Sequence, residues 1–175
     1  SDSIAATPMR AIGTDTLVNF VLAGCLSSFY QQAQDGYGLS KGELWRHSVG
    51  CAIASQRIAS RDNPDVTGQA FTAGLIHDIG KILLDAYVGQ EIETILRLVE
   101  EESISFAEAE KRVLGFSHTE AGCELARHWN LPEPLIEAIA YHQMPDAAKL
   151  APKLVAQVIW AISFASASAS AWAAT

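Results

Sequence analysis

The 175-residue chain is expected to be all α, on three observations. Apolar residues recur at helical spacing, as in Leu17, Val18, Val21, Leu22, Cys25, Leu26 and Phe29. Runs that alternate Val, Ile, Thr or aromatic residues with polar ones between turns are missing. Three serines each precede a glutamate by three residues: Ser40 with Glu43, Ser105 with Glu108, and Ser117 with Glu120. In that pattern a hydroxyl caps the first helical turn and a carboxylate reaches back.

Each element then has a local cause. The first apolar stripe gives a helix over 12–34, and Ser40 opens a second over 40–61 that Asn63-Pro64 ends. Continuous periodicity gives helices over 67–87 and 89–102. Ser105 opens 105–114, which Gly115 stops, and Ser117 opens 117–129. Pro132 suits the first turn of a helix over 132–142, where a missing N–H costs nothing, and this puts His142 at that helix's end. Met144-Pro145 breaks the chain before a last helix over 150–168. Unequal lengths and no repeat of roughly 20 to 50 residues predict an irregular bundle and not a solenoid, with Trp45 and Trp160 in its core.

Composition bounds the class. A hydrophobic share of 49%, with 12 Gly and 6 Pro, suits one compact lobe. A net charge of −8 argues against general nucleic-acid binding, which needs Lys and Arg against phosphate. Cys25, Cys51 and Cys123 are odd in number, far apart and among small apolar residues, as expected of reduced core thiols in a cytoplasmic protein. No apolar run reaches the roughly 18 residues of a membrane span, and the first residues lack a basic region followed by an apolar block. The protein is therefore expected to be soluble. Residues 166–175 form an Ala/Ser-rich tail with no functional signature, and helices this apolar leave room for a self-association patch.

Residues Leu75-Ile76-His77-Asp78-Ile79-Gly80-Lys81 carry the chemistry. A histidine and a carboxylate inside an apolar stretch need a counter-charge, hydrogen bond or metal, because removing them from water costs several kcal/mol. His47, His77, His118 and His142 fall on different helices or helix ends, so any shared site must form through the fold. Imidazole and carboxylate together suit a divalent Fe, Mn, Zn, Co or Ni ion, and the spacings match no zinc finger. Plainer readings stay open beside this one. His77 and Asp78 can be a hydrogen-bonded structural pair, and His47 a surface or satisfied side chain. His118 can lie at an exposed helix start, and His142 can answer a helix dipole. Lys81 can pair with Asp85 along the helix, while His128, without a motif partner, reads as surface.

Five ordered segments carry a family resemblance: Trp45-Arg46-His47-Ser48, Gly74 to Lys81, Gly115-Phe116-Ser117-His118-Thr119-Glu120-Ala121-Gly122, Leu131-Pro132-Glu133-Pro134-Leu135, and Tyr141-His142. Over roughly residues 10–165 the chain resembles the HD superfamily of metal-dependent phosphohydrolases, and most closely its HDOD branch, the HD-related output domains of bacterial signalling proteins. Tyr141-His142 is followed by Gln143-Met144-Pro145, with no Gly-Tyr-Pro, which separates it from the HD-GYP branch.

The resemblance implies a helical bundle of HD-domain type, with further helices before the present start. It implies that His47, His77 and Asp78 hold one metal together with a later aspartate. Asp78 would bridge to a second ion held by His118 and His142, and Lys81 would neutralise charge on a phosphate. Asp78 and Lys81 are thus the expected catalytic residues. Two departures stand out. Ile159-Trp160-Ala161-Ile162-Ser163 offers no late carboxylate, and the paired histidines often seen at 142 are here His142-Gln143. Asp146 is the nearest substitute in sequence, in a turn-forming stretch.

The expected function is a bacterial signal-transduction domain with a partly degenerate metal site, metal-bound or metal-free. It would bind a protein partner or a phosphate-containing small molecule such as a nucleotide. The rival is an active phosphohydrolase acting on phosphomonoesters or cyclic nucleotides. A third reading makes the polar cluster a structural remnant in a scaffold.

Overall fold

Small side chains decide how closely the helices pack, and this places the site. The computed structural model describes residues 14–173, and the side chains of 21–165. The expected domain start near residue 10, the side chains of Leu17 and Val18, and those of the tail lie outside these limits. Helices α1 (Thr14–Tyr30), α2 (Glu43–Asp62), α3 (Thr67–Ile76), α4 (Ile79–Val88), α5 (Ile92–Glu102), α6 (Phe106–Leu114), α7 (His118–His128), α8 (Glu133–Tyr141) and α9 (Pro152–Ala173) form an irregular bundle. Among the described residues there is no strand, and no helix is long and apolar enough to cross a membrane.

On α2 the buried residues Leu44, Ser48, Cys51, Ala52, Ser55 and Ala59 recur every three or four positions and form one face. That face meets Ala70, Ala73 and Gly74 of α3. A Cβ on Gly74 would lie 2.7 Å from the Cys51 carbonyl oxygen, so only glycine lets α3 come this close to α2. Leu75, Ile76, Ile136, Ile139, Val155 and Val158 from α3, α8 and α9 complete the main core. A fully buried Leu75 or Ile139 contributes about 1.5–3 kcal/mol. A smaller apolar cluster joins Leu84 and Val88 of α4 to Ile95 of α5 and Ala109 of α6.

Several boundaries differ from the sequence expectation. The single helix over 67–87 is two, α3 and α4, because Asp78 leaves helical geometry at φ −98°, ψ 14°. Its carbonyl then accepts from the Lys81 N–H, and the break redirects the chain between the two apolar clusters. The first helix ends at Tyr30 and not at 34, where a short bridge pairs Gln34 with Leu39. The helix expected from 89 starts at Ile92.

The serine signals hold unevenly. Ser117 makes the full capping box with Glu120. Ser105 caps α6, but Glu108 turns to Arg112 instead of reaching back. At Ser40 only the return bond from its N–H to Glu43 forms, and α2 starts at Glu43 behind Gly42. Pro132 stands one residue before α8, its carbonyl accepting from Leu135 and Ile136.

Two apolar expectations fail for one reason: the helix face turns outward. On α9, Leu154, Val155, Val158 and Ala161 point inward, which leaves Trp160 70% exposed. On α1, Cys25 is exposed, while Cys51 and Cys123 are buried, and all three are free thiols. Trp45 does pack against the core, edge-on to Tyr30 at 6.1 Å between ring centroids.

Candidate metal centre

The turn between α3 and α4 carries His77 and Asp78, both almost fully buried. His47 arrives from the second turn of α2, His118 is the first residue of α7, and His142 follows the last residue of α8. Gly80 makes this meeting possible. A Cβ there would lie 1.8 Å from the His118 carbonyl oxygen, so any side chain at 80 would push α7, and His118 with it, away from Asp78.

The Asp78 carboxylate is the hub. Its Oδ2 faces Nε2 of His77 at 3.4 Å and of His47 at 3.8 Å, and Lys81 Nζ at 2.7 Å. Its Oδ1 faces Nε2 of His118 and of His142, each at 3.5 Å. All the residues expected to bear the chemistry thus converge, although burial contradicts the plainer reading of His118 as an exposed helix start. His128 is exposed, as expected. Lys81 pairs with Asp78 and not with Asp85, whose carboxylate accepts from the Gly36 N–H. Asp146 is exposed on a short turn of 3-10 helix.

The histidine tautomers follow from their outer partners. Nδ1 of His77 lies 2.8 Å from the Gly74 carbonyl, and Nδ1 of His142 lies 2.9 Å from that of Ile139. Nδ1 of His118 lies 2.5 Å from Glu110 Oε2. Carbonyl and carboxylate oxygens only accept, so each Nδ1 carries the proton, and in its neutral form each ring turns a bare Nε2 lone pair inward. Those lone pairs face a carboxylate, itself acceptor-only, and among the described residues Nε2 of His77 and Oδ1 of Asp78 have no hydrogen-bond partner. Buried acceptors facing one another are satisfied by a cation between them. Two donors about 2.0–2.2 Å from a tetrahedral ion lie about 3.4 Å apart, close to the 3.4–3.5 Å of His77, His118 and His142 from Asp78, with His47 at 3.8 Å, so the donor set could hold a divalent metal.

Glu110 was missed by the motif reading. Fully buried on α6, it accepts from the His118 N–H at 2.8 Å and from the Tyr37 hydroxyl at 2.6 Å, besides His118 Nδ1. Burial and then Glu110 itself push the Tyr37 phenol well above its ordinary range, so it stays a donor. A signal existed: Glu110 lies three residues after Ala107 and four before Leu114, on the inward stripe of α6. Gln143 also touches the site. Its Oε1 accepts from the Ala107 N–H, and its amide nitrogen lies 3.2 Å from His118 Nε2, which it can hydrogen-bond.

Charge is set by burial. Desolvation, with His77 adding to it, lowers the His47 imidazole to about 4 against the pull of Asp78. Desolvation likewise lowers His142 to about 4. Burial alone would raise Asp78, but Lys81 and then His77 outweigh it and hold the carboxyl well below its ordinary value.

The two histidines therefore titrate lower in the folded chain than the ordinary 6.5 of the unfolded one. As pH falls from 6.5 towards 4 the unfolded chain takes up protons first, so their contribution is present above 6.5 and lost across that window. Metal-free protein should show a urea midpoint that drops between about pH 7 and about pH 4.5. A constant or rising midpoint would contradict buried neutral imidazoles.

Residues 5–145 match the HDOD domain family. An HDOD domain protein of unknown function from Geobacter sulfurreducens is 31% identical, with a TM-score of 0.73 over 87% of this chain and 51% of its own. A candidate phosphohydrolase from Shewanella amazonensis SB2B is 26% identical, with a TM-score of 0.75 over 89% of this chain and 56% of its own. A candidate signal transduction protein from Marinobacter aquaeolei VT8, 22% identical with a TM-score of 0.65, shares the fold. An uncharacterized protein of Treponema pallidum (strain Nichols) is 27% identical over 155 residues, 87% of this chain and 29% of that protein. The chain thus spans roughly half or less of the proteins it matches. With the profile match covering most of its length and the helical bundle shared with these structures, the chain belongs to the HDOD domain family.

Proposed function

We propose that this domain holds a divalent Fe, Mn, Zn, Co or Ni ion on His47, His77 and Asp78, and serves signal transduction by binding a protein partner or a phosphate-containing small molecule. The observation that carries this reading is the set of inward lone pairs around Asp78, with buried Nε2 of His77 and Oδ1 of Asp78 unpartnered. Bound there, a divalent ion supplies Lewis acidity and acidifies a coordinated water. The chain's own residues do the rest. Backbone carbonyls and Glu110 orient the imidazoles, as outer partners of metal-ligating histidines do. His47, its side chain 27% exposed, and Lys81, 20% exposed, are the accessible members, so a ligand phosphate reaches the cluster over them.

Binding is favoured over fast turnover because α9 contributes no carboxylate at 159–163 and Lys81 is engaged by Asp78. A hydrolase reading has its own support: each Asp78 oxygen faces two histidines, the arrangement a bridging carboxylate needs. Elemental analysis of protein supplied with Mn, Fe and Zn should find one equivalent of metal or more. Protein free of metal after such loading would sink the proposal and leave the scaffold. Loaded protein that turns over a generic phosphodiester or phosphomonoester, with turnover lost in Asp78→Asn, would establish the hydrolase.

A further inference from the structure

The metal reading above leaves a deficit of one negative charge, because the late aspartate expected from the resemblance is missing. A fourth donor lies one turn along α2 from His47. Cys51 Sγ is fully buried and 3.6 Å from His47 Nε2. A ring nitrogen of His47, Cys51 Sγ and a ring nitrogen of His77 all lie within 4.8 Å of one another, and His77 also belongs to a second such group with Asp78 and His142. The unpartnered His77 Nε2, nine-tenths buried and more, is the independent sign that this corner is built for a cation.

We propose that Cys51 is a metal ligand, completing a two-nitrogen, one-sulfur, one-oxygen site with His47, His77 and Asp78 in place of the absent aspartate. The inference rests on the metal reading and specifies it. Two of the donor separations fit tetrahedral geometry, with His47 and Asp78 somewhat farther apart at 3.8 Å: a sulfur about 2.3 Å and a nitrogen about 2.0–2.1 Å from one ion are about 3.6 Å apart. This matches the Cys51–His47 separation, as the 3.4 Å between His77 Nε2 and Asp78 Oδ2 matches a nitrogen–oxygen pair.

Charge balance supports it too. A thiolate, a carboxylate and two neutral imidazoles neutralise a divalent ion. Burial and then Asp78 push the free Cys51 thiol up to about 12, so ligation would require the ion to draw off the Sγ–H proton to solvent, the electron pair left on sulfur going to the metal. A sulfur donor makes the site softer than one of nitrogen and oxygen alone, which favours Zn, Co or Fe over Mn. Position supplies the geometry: residues i and i+4 of a helix project from the same face, and the close approach at Gly74 brings α3 within reach of both.

The test uses cobalt(II) in a Cys25→Ser/Cys123→Ala background, which leaves Cys51 as the only thiol. A sulfur-to-cobalt charge-transfer band should appear in the near ultraviolet beside the visible d–d bands. Adding Cys51→Ser should abolish that band, keep the d–d bands and weaken metal affinity by at least about 10-fold. Cobalt bound without the band would overturn Cys51 ligation while leaving the His/Asp metal reading intact. Failure to bind cobalt at all would overturn both. Should the Cys51→Ser chain not fold, X-ray absorption of the zinc-loaded natural sequence decides instead. A sulfur scatterer at about 2.3 Å supports the assignment and a shell of only nitrogen and oxygen refutes it.

Discussion

Asp78→Asn should weaken divalent-metal binding by at least about 100-fold, more than the roughly 10–100-fold typical of losing an outer partner of a metal ligand. Four imidazole nitrogens stand 3.4–3.8 Å from the Asp78 oxygens, and no other buried carboxylate faces the same point among the described residues, since Glu110 sits behind His118. Asparagine keeps the shape but removes the charge. Its amide nitrogen would also donate to one of the bare Nε2 lone pairs and so occupy a donor that the ion needs.

Folding gives an independent readout of the same loss. Metal at 100 times its dissociation constant stabilises the native chain by about 2.7 kcal/mol, so the natural sequence should gain several degrees in its thermal midpoint when loaded. The variant should gain almost nothing. In metal-free protein the substitution should change stability far less, because the new amide can satisfy an orphaned nitrogen while Lys81, 20% exposed, turns towards water. A variant that binds metal within about threefold of the natural sequence would show that the cluster is not a metal site.

Glu110→Ala should cost about 3–5 kcal/mol of folding stability. The carboxylate is fully buried and takes three hydrogen bonds, from Tyr37, the His118 backbone and His118 Nδ1. Alanine leaves those donors without acceptors and opens a void beside Phe106, whose ring packs on both Tyr37 and His118. Glu110→Gln keeps the volume, and its NH2 can turn to the Tyr37 hydroxyl, which accepts, while its oxygen keeps the His118 donors; only the charge-assisted strength is lost, so its cost should be smaller, at about 1–3 kcal/mol. Urea unfolding of metal-free protein measures both. A Glu110→Ala midpoint within about 1 kcal/mol of the natural sequence would show that Glu110 does not hold the helix junction.

His118 is also the residue through which Glu110 reaches the Asp78 carboxylate. With its Nδ1 partner gone, the ring is free to rotate or to change tautomer, and Nε2 no longer presents a fixed lone pair to Asp78. Metal binding in Glu110→Ala should therefore fall along with stability, whereas Glu110→Gln, whose amide oxygen can still accept from His118 Nδ1, should bind metal more nearly as the natural sequence does, which separates a positioning role from one confined to packing.

Local chemistry made much of this protein legible in its sequence. Helical periodicity gave the all-α class because each helix buries a face of its own. Asn63, Gly115 and Met144-Pro145 marked true breaks, since cap and turn preferences act over a few residues. Ser117 made its full capping box for the same reason. The ordered motif residues His47, His77, Asp78, His118 and His142 are the ones that the fold brings together.

Tertiary structure alone decided the rest. Periodicity ran unbroken through 67–87, yet the helix parts at Asp78, where the carboxylate hub and the meeting of two apolar clusters override local preference. Whether Trp160 faced inward depended on how α9 rotates against its neighbours, and Lys81 chose Asp78 over Asp85 by the same logic. Glu110 carried no motif signal, and Cys51 looked like an ordinary core thiol. Their meaning arises only when α6 meets α7 and α2 meets α3, because the energy of a buried polar atom is set by whatever faces it across the fold.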